Sequence, residues 1–494
     1  MLSLGDGPAI IGRMLFPTTA FAVFFAVVLL LWFSGPRQSA PWRRFTLLFA
    51  NFFFYCWWSW RFALLLAAMA AINHAFARAL ARRRSRPLLF AAVAANLLLL
   101  GVFKYAGFVF VSVVSPVVAA LCPSAEALEA WNNFQFERAF PILSSIVLPI
   151  GVSFTTFSAI SYLADAASGK FRPARSFVDF FNYLSFFPKL CAGPIVRPAD
   201  LIPALESPVE SPSRSDFARA SLLLALGLLK KTVVANWLSQ NAVDPFFDDP
   251  SEFGLADALV ATFGYAVQLY CDFSAYSDMA IALALMLGFR FGTNFDAPYL
   301  ARSLQEFWRR WHISLSSWLR DYLYIPLGGS RRGATRTEVN LFVTMLLGGV
   351  WHGAGWAFPL WGAVHGAGLA LERRLSRRLG HPVRPGILPV FAFTAAAWIP
   401  FRLGTGGGGL EGAGEVLRAF GRVATAPSLC SPAAFALLAL GFASQLCDGR
   451  RLVRASAVFA RLPAPILGLA SALLLAFCLG LGPRGVAPFI YFQF

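Results

Sequence analysis

Five histidines occur in the 494-residue chain, and three of them, His312, His352 and His365, fall in one stretch, each beside a tryptophan or a glycine. No GxSxG, HExxH or P-loop pattern accompanies them, and no serine or cysteine stands beside them as an acyl-enzyme nucleophile would. An imidazole can instead act directly as a general base, taking the proton of an acceptor hydroxyl as that oxygen attacks an activated acyl group. Apolar surroundings keep imidazole neutral, which suits a base. The bland alternative is a set of polar groups that join helices. Three imidazoles around one predicted membrane turn weigh against it, because ionisable groups at membrane depth mark pathways and reaction centres. His74, in "AINHAFARAL", and His381, before Pro382, read as structural or solvated.

The segment "ARSLQEFWRRWHISLSSWLRDYLYIPLGGSRRG", residues 301–333, carries six arginines and three tryptophans around His312. On one continuous helix, Trp308, Trp311, Leu315 and Trp318 share a face. Gln305, Arg309, His312 and Ser316 share another, and Glu306 and Arg310 form an i,i+4 pair. The spacing thus predicts a helix with an aromatic face toward lipid or core and a polar face aimed at a site. Arg309 and Arg310 either bind phosphates or line the interface. Trp308, Trp311, Ser316, Trp351 and Asp272 are the further candidates for substrate or donor binding. Asp272 and Asp278, next to apolar runs, must be paired or neutral if buried. The arginines of the next segment are their expected partners.

These residues sit in an oily chain: 57% of residues are hydrophobic and 14% charged, against roughly 25% charged in soluble domains. Apolar runs of bilayer length recur throughout without the alternation of a β-barrel, so the fold class is an all-α polytopic membrane protein. The runs include 15–33, 45–60, 62–79, 88–103, 108–121, 140–163, 221–238, 259–270, 279–289, 387–401, 433–443 and 465–480. Together with 338–351 and 356–371 they predict about 11 transmembrane helices plus re-entrant pieces. Residues 177–191, short and aromatic, read as interfacial or re-entrant. The net charge of +17 is mostly topological, since cytoplasmic loops collect Lys and Arg. The clusters at 81–86, 302–336, 372–378 and 450–454 therefore share the cytoplasmic side. Between the second and third lie two apolar stretches too short for untilted spans, so the chain enters the membrane, turns at His352 and returns. The seven cysteines are scattered without a CxxC, which predicts no metal site and no disulfide framework. The glycine-rich 403–414 segment is a loop. The whole chain, 1–494, reads as one membrane domain, with 1–13 a possible tail and 301–372 the active-site segment.

"EFWRRWHISLSSWLRDYLYIPLGGSRRG" and "NLFVTMLLGGVWHGAGWAFPLWGAVHG" resemble the membrane-bound O-acyltransferase (MBOAT) family, and in particular its bacterial branch that O-acetylates alginate and peptidoglycan. "FFPKLCAGPIVRPADL", "YAVQLYCDFSAYSDMAIALALMLGF" and the terminal "PFIYFQF" extend the resemblance over nearly the whole chain. It implies a ring of helices and re-entrant helices around a central tunnel, in a bacterial inner membrane. It places the family's signature histidine on His352 and a second active-site position on His312. It implies a cytoplasmic thioester donor, acetyl-CoA or an acyl carrier protein, with no tightly bound cofactor and no metal. The acceptor hydroxyl belongs to an extracytoplasmic polysaccharide or a carrier, and a periplasmic acetyltransferase partner is expected; nucleic acid is not. In the related teichoic acid D-alanylation system a similar aromatic tail sits on a separate small protein. By that analogy Tyr491, in the 486–494 tail motif, is a candidate first acyl acceptor; the alternative is a tail that only fills the outer funnel.

Three other readings compete. A D-alanyl or other acyl transferase of the same family would keep the histidines and change the acyl group. A glycan or lipid transporter also uses broken helices and buried charge, but the chain shows no repeat. A scaffold for a polysaccharide synthase leaves His312 and His352 without a reason.

Overall fold

The computed structural model describes residues 14–35, 40–122, 124, 148–207, 211–406, 409–423, 428–447, 449–480 and 489–490. Every regular element among them is a helix. The first four are α1 (Thr19–Ser34), α2 (Ala40–Trp58), α3 (Trp60–Arg83) and α4 (Arg86–Leu121), the last carrying a widened π turn at Phe110–Val114. By length and composition α3, α4 and Ile387–Thr405 are the described helices able to cross a membrane, while Thr19–Ser34 and Pro432–Ser444 are apolar but shorter. Their outer faces carry large apolar side chains in the open, such as Leu30 at 71%, Phe90 at 76% and Leu388 at 78% exposure. Such faces suit hydrocarbon rather than water. Between α3 and α4, Asn73 and Asn96 exchange amide hydrogen bonds of 3.1 and 2.8 Å, the polar adhesive expected between helices in lipid.

After α5 (Val152–Ser168), the aromatic segment folds as α6 (Phe177–Ser185) and a further turn, Phe187–Leu190. It is buried in protein rather than interfacial. Asn51 of α2 explains why: its amide donates to Asn182 Oδ1 at 3.2 Å and accepts the Phe187 backbone N–H at 2.9 Å. Then come α7 (Arg214–Leu228) and the central α8 (Leu255–Met286), which is buried on nearly all sides. The runs 259–270 and 279–289 are therefore one helix, not two spans. The acidic residues between them did not end the helix, because α8 turns them toward cations. Lys230 Nζ lies 2.5 Å from Asp278 Oδ2, and Lys231 Nζ lies 2.5 Å from Asp272 Oδ1. The expected arginine partners are thus lysines, presented by a π-helical turn at Leu229–Ala235.

The predicted helix across 301–333 breaks. It forms α9 (Leu304–Arg310) and α10 (Ile313–Leu319), with His312 between them at φ 42°, ψ 56°. A non-glycine residue in this left-handed region costs roughly 1–2 kcal/mol. The loop from Asn294 to Asp296 compensates. Asn294 O accepts the Ile313 N–H and Arg310 O accepts the Asp296 N–H, both at 2.9 Å. The single-helix face assignments for Gln305, Arg309, His312 and Ser316 therefore fail.

The expected hairpin forms from α11 (Ala334–His352) and α12 (Ala357–Leu379), followed by α13 (Ile387–Thr405). Its arms meet backbone to backbone. A Cβ on Gly349 would stand 2.3 Å from Phe358 O, and one on Gly362 would stand 2.4 Å from Met345 O. At the open end Glu338 of α11 receives Arg374 and Arg377 of α12, each at 3.0 Å. Gly362→Val should pry the arms apart and cost about 1–3 kcal/mol or more. The check is the melting temperature of detergent-purified protein; an unchanged value would sink the close-approach argument.

Candidate active site

His352 is the last residue of α11, buried to 5% at the hairpin turn. Trp351, Trp361 and Phe401 ring it, with centroids 4.8, 5.0 and 5.2 Å away. His352 and Trp351 line a small chamber of about 60 Å³ with Lys104, Trp58, Phe154 and Cys191. That is room for more than one water-sized group, at roughly 10–15 Å³ each. A second recess, lined by Phe16, Trp57 and Tyr276, shares Trp58, Ile150 and Cys191 with it.

A much larger cavity of about 630 Å³ opens at the other end of the hairpin. Ala334, Leu341, Thr344 and Met345 of α11 line it, as do Gln305, Trp308 and Ser316. So do Arg320, Arg373 and Arg377, which brings the 302–336 and 372–378 segments together at one cavity. One helix thus lines both spaces: Met345 faces the large cavity, and His352, seven residues on, faces the chamber, roughly 10 Å further along the axis. Arg309 and Arg310 do not line the cavity. Arg310 binds Glu306 at 2.6 Å and Arg309 is exposed. The cavity arginines were missed because sequence spacing does not show which of the arginines on that shared side face one cavity.

His312 is fully buried and lines neither space. Phe273 meets it edge-on at 4.6 Å, and Phe154 lies 6.4 Å away, between it and Trp351. Its orientation follows from Asn294. Asn294 Oδ1 accepts the Ser314 N–H at 3.1 Å, and Nδ2 donates to Ser277 Oγ at 2.9 Å, which fixes the amide. His312 Nδ1 lies 3.3 Å from the same Oδ1, so Nδ1 carries the proton and Nε2 the lone pair. Among the described residues Nε2 meets no hydrogen-bond partner. Asn294, in "FGTNFDAPYL", has no motif that would have singled it out.

His365 and Trp311 sit in aromatic boxes. His365 is walled by Trp308 and Trp361, each 5.1 Å away, and Trp311 by Phe295 and Trp398, each 5.1 Å away. Ser316 Oγ donates to Trp311 O at 3.0 Å. His74 lies apart from both spaces, its Nδ1 3.1 Å from Tyr162 Oη. Asp272 reaches the C-terminal tail: its Oδ2 accepts the Ile490 N–H at 2.8 Å. Phe489 rests edge-on against Tyr276 at 4.9 Å and under Lys231 Nζ at 4.6 Å. Tyr491 itself, like residues 1–13, lies outside the described residues.

The family model for the "MBOAT, membrane-bound O-acyltransferase family" matches residues 152–389, the span that holds α5 through the hairpin. The chain is 38% identical over 401 residues to the "Probable alginate O-acetylase AlgI" of Pseudomonas aeruginosa, covering 79% of this chain and 72% of that protein. It is 33% identical over 390 residues to the "Peptidoglycan O-acetyltransferase" of Helicobacter pylori, covering 72% and 70%. A "Teichoic acid D-alanyltransferase" of Streptococcus thermophilus is 28% identical over 45% of this chain. The chain belongs to the membrane-bound O-acyltransferase family. It is a multi-pass membrane enzyme of the AlgI-like branch, which transfers an acyl group to a hydroxyl. For this MBOAT protein, Asn294→Leu should remove the acceptor that sets the His312 tautomer. Losing a group that positions an active-site residue should lower activity by about tenfold or more. Asn294→Asp, which keeps an acceptor, should retain more activity. Equal activity of the two variants in an acyl-transfer assay would refute this.

Proposed function

We propose that the protein passes an acetyl group from a cytoplasmic thioester to an extracytoplasmic polysaccharide, with His352 as the general base. The observation that carries the reading is the placement of α11 between the arginine-lined cavity and the chamber that holds His352. The basic end faces the cytoplasm by the positive-inside rule, and the membrane is the bacterial inner membrane. The cavity suits acetyl-CoA or the phosphopantetheine arm of a carrier protein: Arg320, Arg373 and Arg377 meet phosphates and Trp308 meets the apolar portion. Arg309 and Arg310 serve the interface.

The tail supports a relay. Phe489 touches Tyr276, and Tyr276 lines the recess that shares three residues with the His352 chamber. Tyr491 follows two residues after Phe489 in the chain. In the proposed step His352 removes the tyrosine phenol proton, the phenolate oxygen bonds to the acyl carbon, and the C–S bond breaks. The thiolate leaves with the proton. A periplasmic partner then carries the acetyl to an alginate-like exopolysaccharide or to peptidoglycan, the acceptors that the relatives' names indicate. His312 lines neither space; it backs Phe154, which lines the His352 chamber, and acts as a positioning residue for that wall.

Reconstituted vesicles given labelled acetyl-CoA supply the test. Acetyl on Tyr491 by mass spectrometry, absent in His352→Ala, is the expected result. Acetyl reaching a glycan with Tyr491 unlabelled would reduce the tail to packing, and transfer unchanged in His352→Ala would remove the base. Asp272→Ala should remove the Lys231 ion pair and untie the tail. It should lower Tyr491 labelling more than it lowers acetyl-CoA binding; equal losses would show that Asp272 does not seat the tail.

A further inference from the structure

Lys104 interrupts the apolar helix α4, in "GVFKYAGF", and a lysine is costly to keep at membrane depth. Its ammonium donates to Trp351 O at 2.5 Å and His352 O at 2.8 Å, and lies 5.7 Å from the Trp351 ring centroid. The next residue, Tyr105, donates to Val350 O. The last carbonyls of α11, which have no partner within the helix, are thus held by two neighbours on α4.

Capping alone does not account for the charge. Tyr105 shows that a neutral donor reaches this helix end, and a glutamine would satisfy the carbonyls without the cost of an ammonium. What sets Lys104 apart is that it lines the same small chamber as His352. An ammonium has three N–H donors. Among the described residues two are taken by the Trp351 and His352 carbonyls, which leaves one for a group inside the chamber.

We infer that Lys104 is the oxyanion-stabilising residue of the acyl transfer, donating its remaining N–H to the acyl oxygen as negative charge develops there. The inference rests on His352 being the base, as proposed above. As the acceptor oxygen bonds to the acyl carbon, its proton goes to His352 and the carbonyl π pair moves onto the acyl oxygen beside the ammonium. Collapse reforms the C=O bond, breaks the C–S bond, and returns the proton from His352 to the departing sulfur. The two carbonyls that bind Lys104 belong to the histidine and its neighbour, so the base and the cation are held in fixed register. A preorganised donor of this kind, in a site with little water, is worth about 10²–10³ in turnover.

The test uses the full chain in vesicles with acetyl-CoA as the probe, reading CoA release and ester formation. Wild type against His352→Ala comes first: a rate that survives there sinks the base reading by itself, whatever Lys104 does. Lys104→Gln keeps donors for the two carbonyls and removes the charge. The expected result is a loss of kcat of about 100-fold or more, with donor KM within about threefold, and recovery of about tenfold in Lys104→Arg. A Gln variant that is folded and within about threefold of wild-type kcat, or impaired only in KM, overturns the assignment while leaving His352 intact. If the Gln variant does not fold, Lys104→Arg decides. Folded with kcat within about tenfold it upholds the role of charge; folded with kcat below about one hundredth it overturns it. Should wild type not turn over acetyl-CoA, the donor is wrong rather than Lys104. The same variants are then compared by base-labile acyl ester in the native host's envelope, with the same ordering expected and Gln equal to wild type overturning it.

Discussion

The approach of α11 to α12 is the contact on which the rest depends. Where Gly349 meets Phe358 O, and Gly362 meets Met345 O, no side chain fits between the two backbones. In hydrocarbon there is little apolar driving force between helices, so close van der Waals contact must supply the association. That contact holds the turn tight, and the turn holds His352. It also carries Arg373 and Arg377 back over the mouth of the large cavity, beside Arg320. Loosening the arms would move the imidazole and the arginines together.

A second constraint is the cost of polarity in a low dielectric. The interior answers it by pairing: Asn73 with Asn96, Asn51 with Asn182 and the Phe187 amide, Lys230 with Asp278, Lys231 with Asp272. Breaking one member of such a pair costs more than the pair contributes. Asp272 uses its second oxygen on the Ile490 N–H, so the charge pair that holds α8 to the preceding π turn also seats the C-terminal tail. The irregular backbone at His312 obeys the same rule, since the Asn294–Asp296 loop supplies the hydrogen bonds that the broken helix lacks.

Much of the candidate site was legible before the fold. His352 stood out because an imidazole at a turn between two short apolar runs is costly to keep there unless it does chemistry. The shared side of the two arginine-rich segments followed from charge bias. The helix break at His312 was not legible, because "RRWHIS" contains no glycine or proline and its propensity is helical. Nor were the lysine partners of Asp272 and Asp278. Lys104, between the runs 88–103 and 108–121, was not singled out, because nothing in its spacing links it to a histidine some 250 residues away.

The sequence by itself determined the class: a membrane-embedded helical enzyme, with a hairpin turned at His352 and cations gathered at one end. Periodicity, apolar length and charge bias are local properties, and each is read from neighbouring residues. Only the tertiary structure decided which cations face the cavity, which amide sets the His312 tautomer, and that Lys104 caps the helix that ends in His352. Those facts are contacts between segments far apart in the chain. They are set by glycine-scale packing and by the need of each buried donor for an acceptor, neither of which leaves a periodic trace in the sequence.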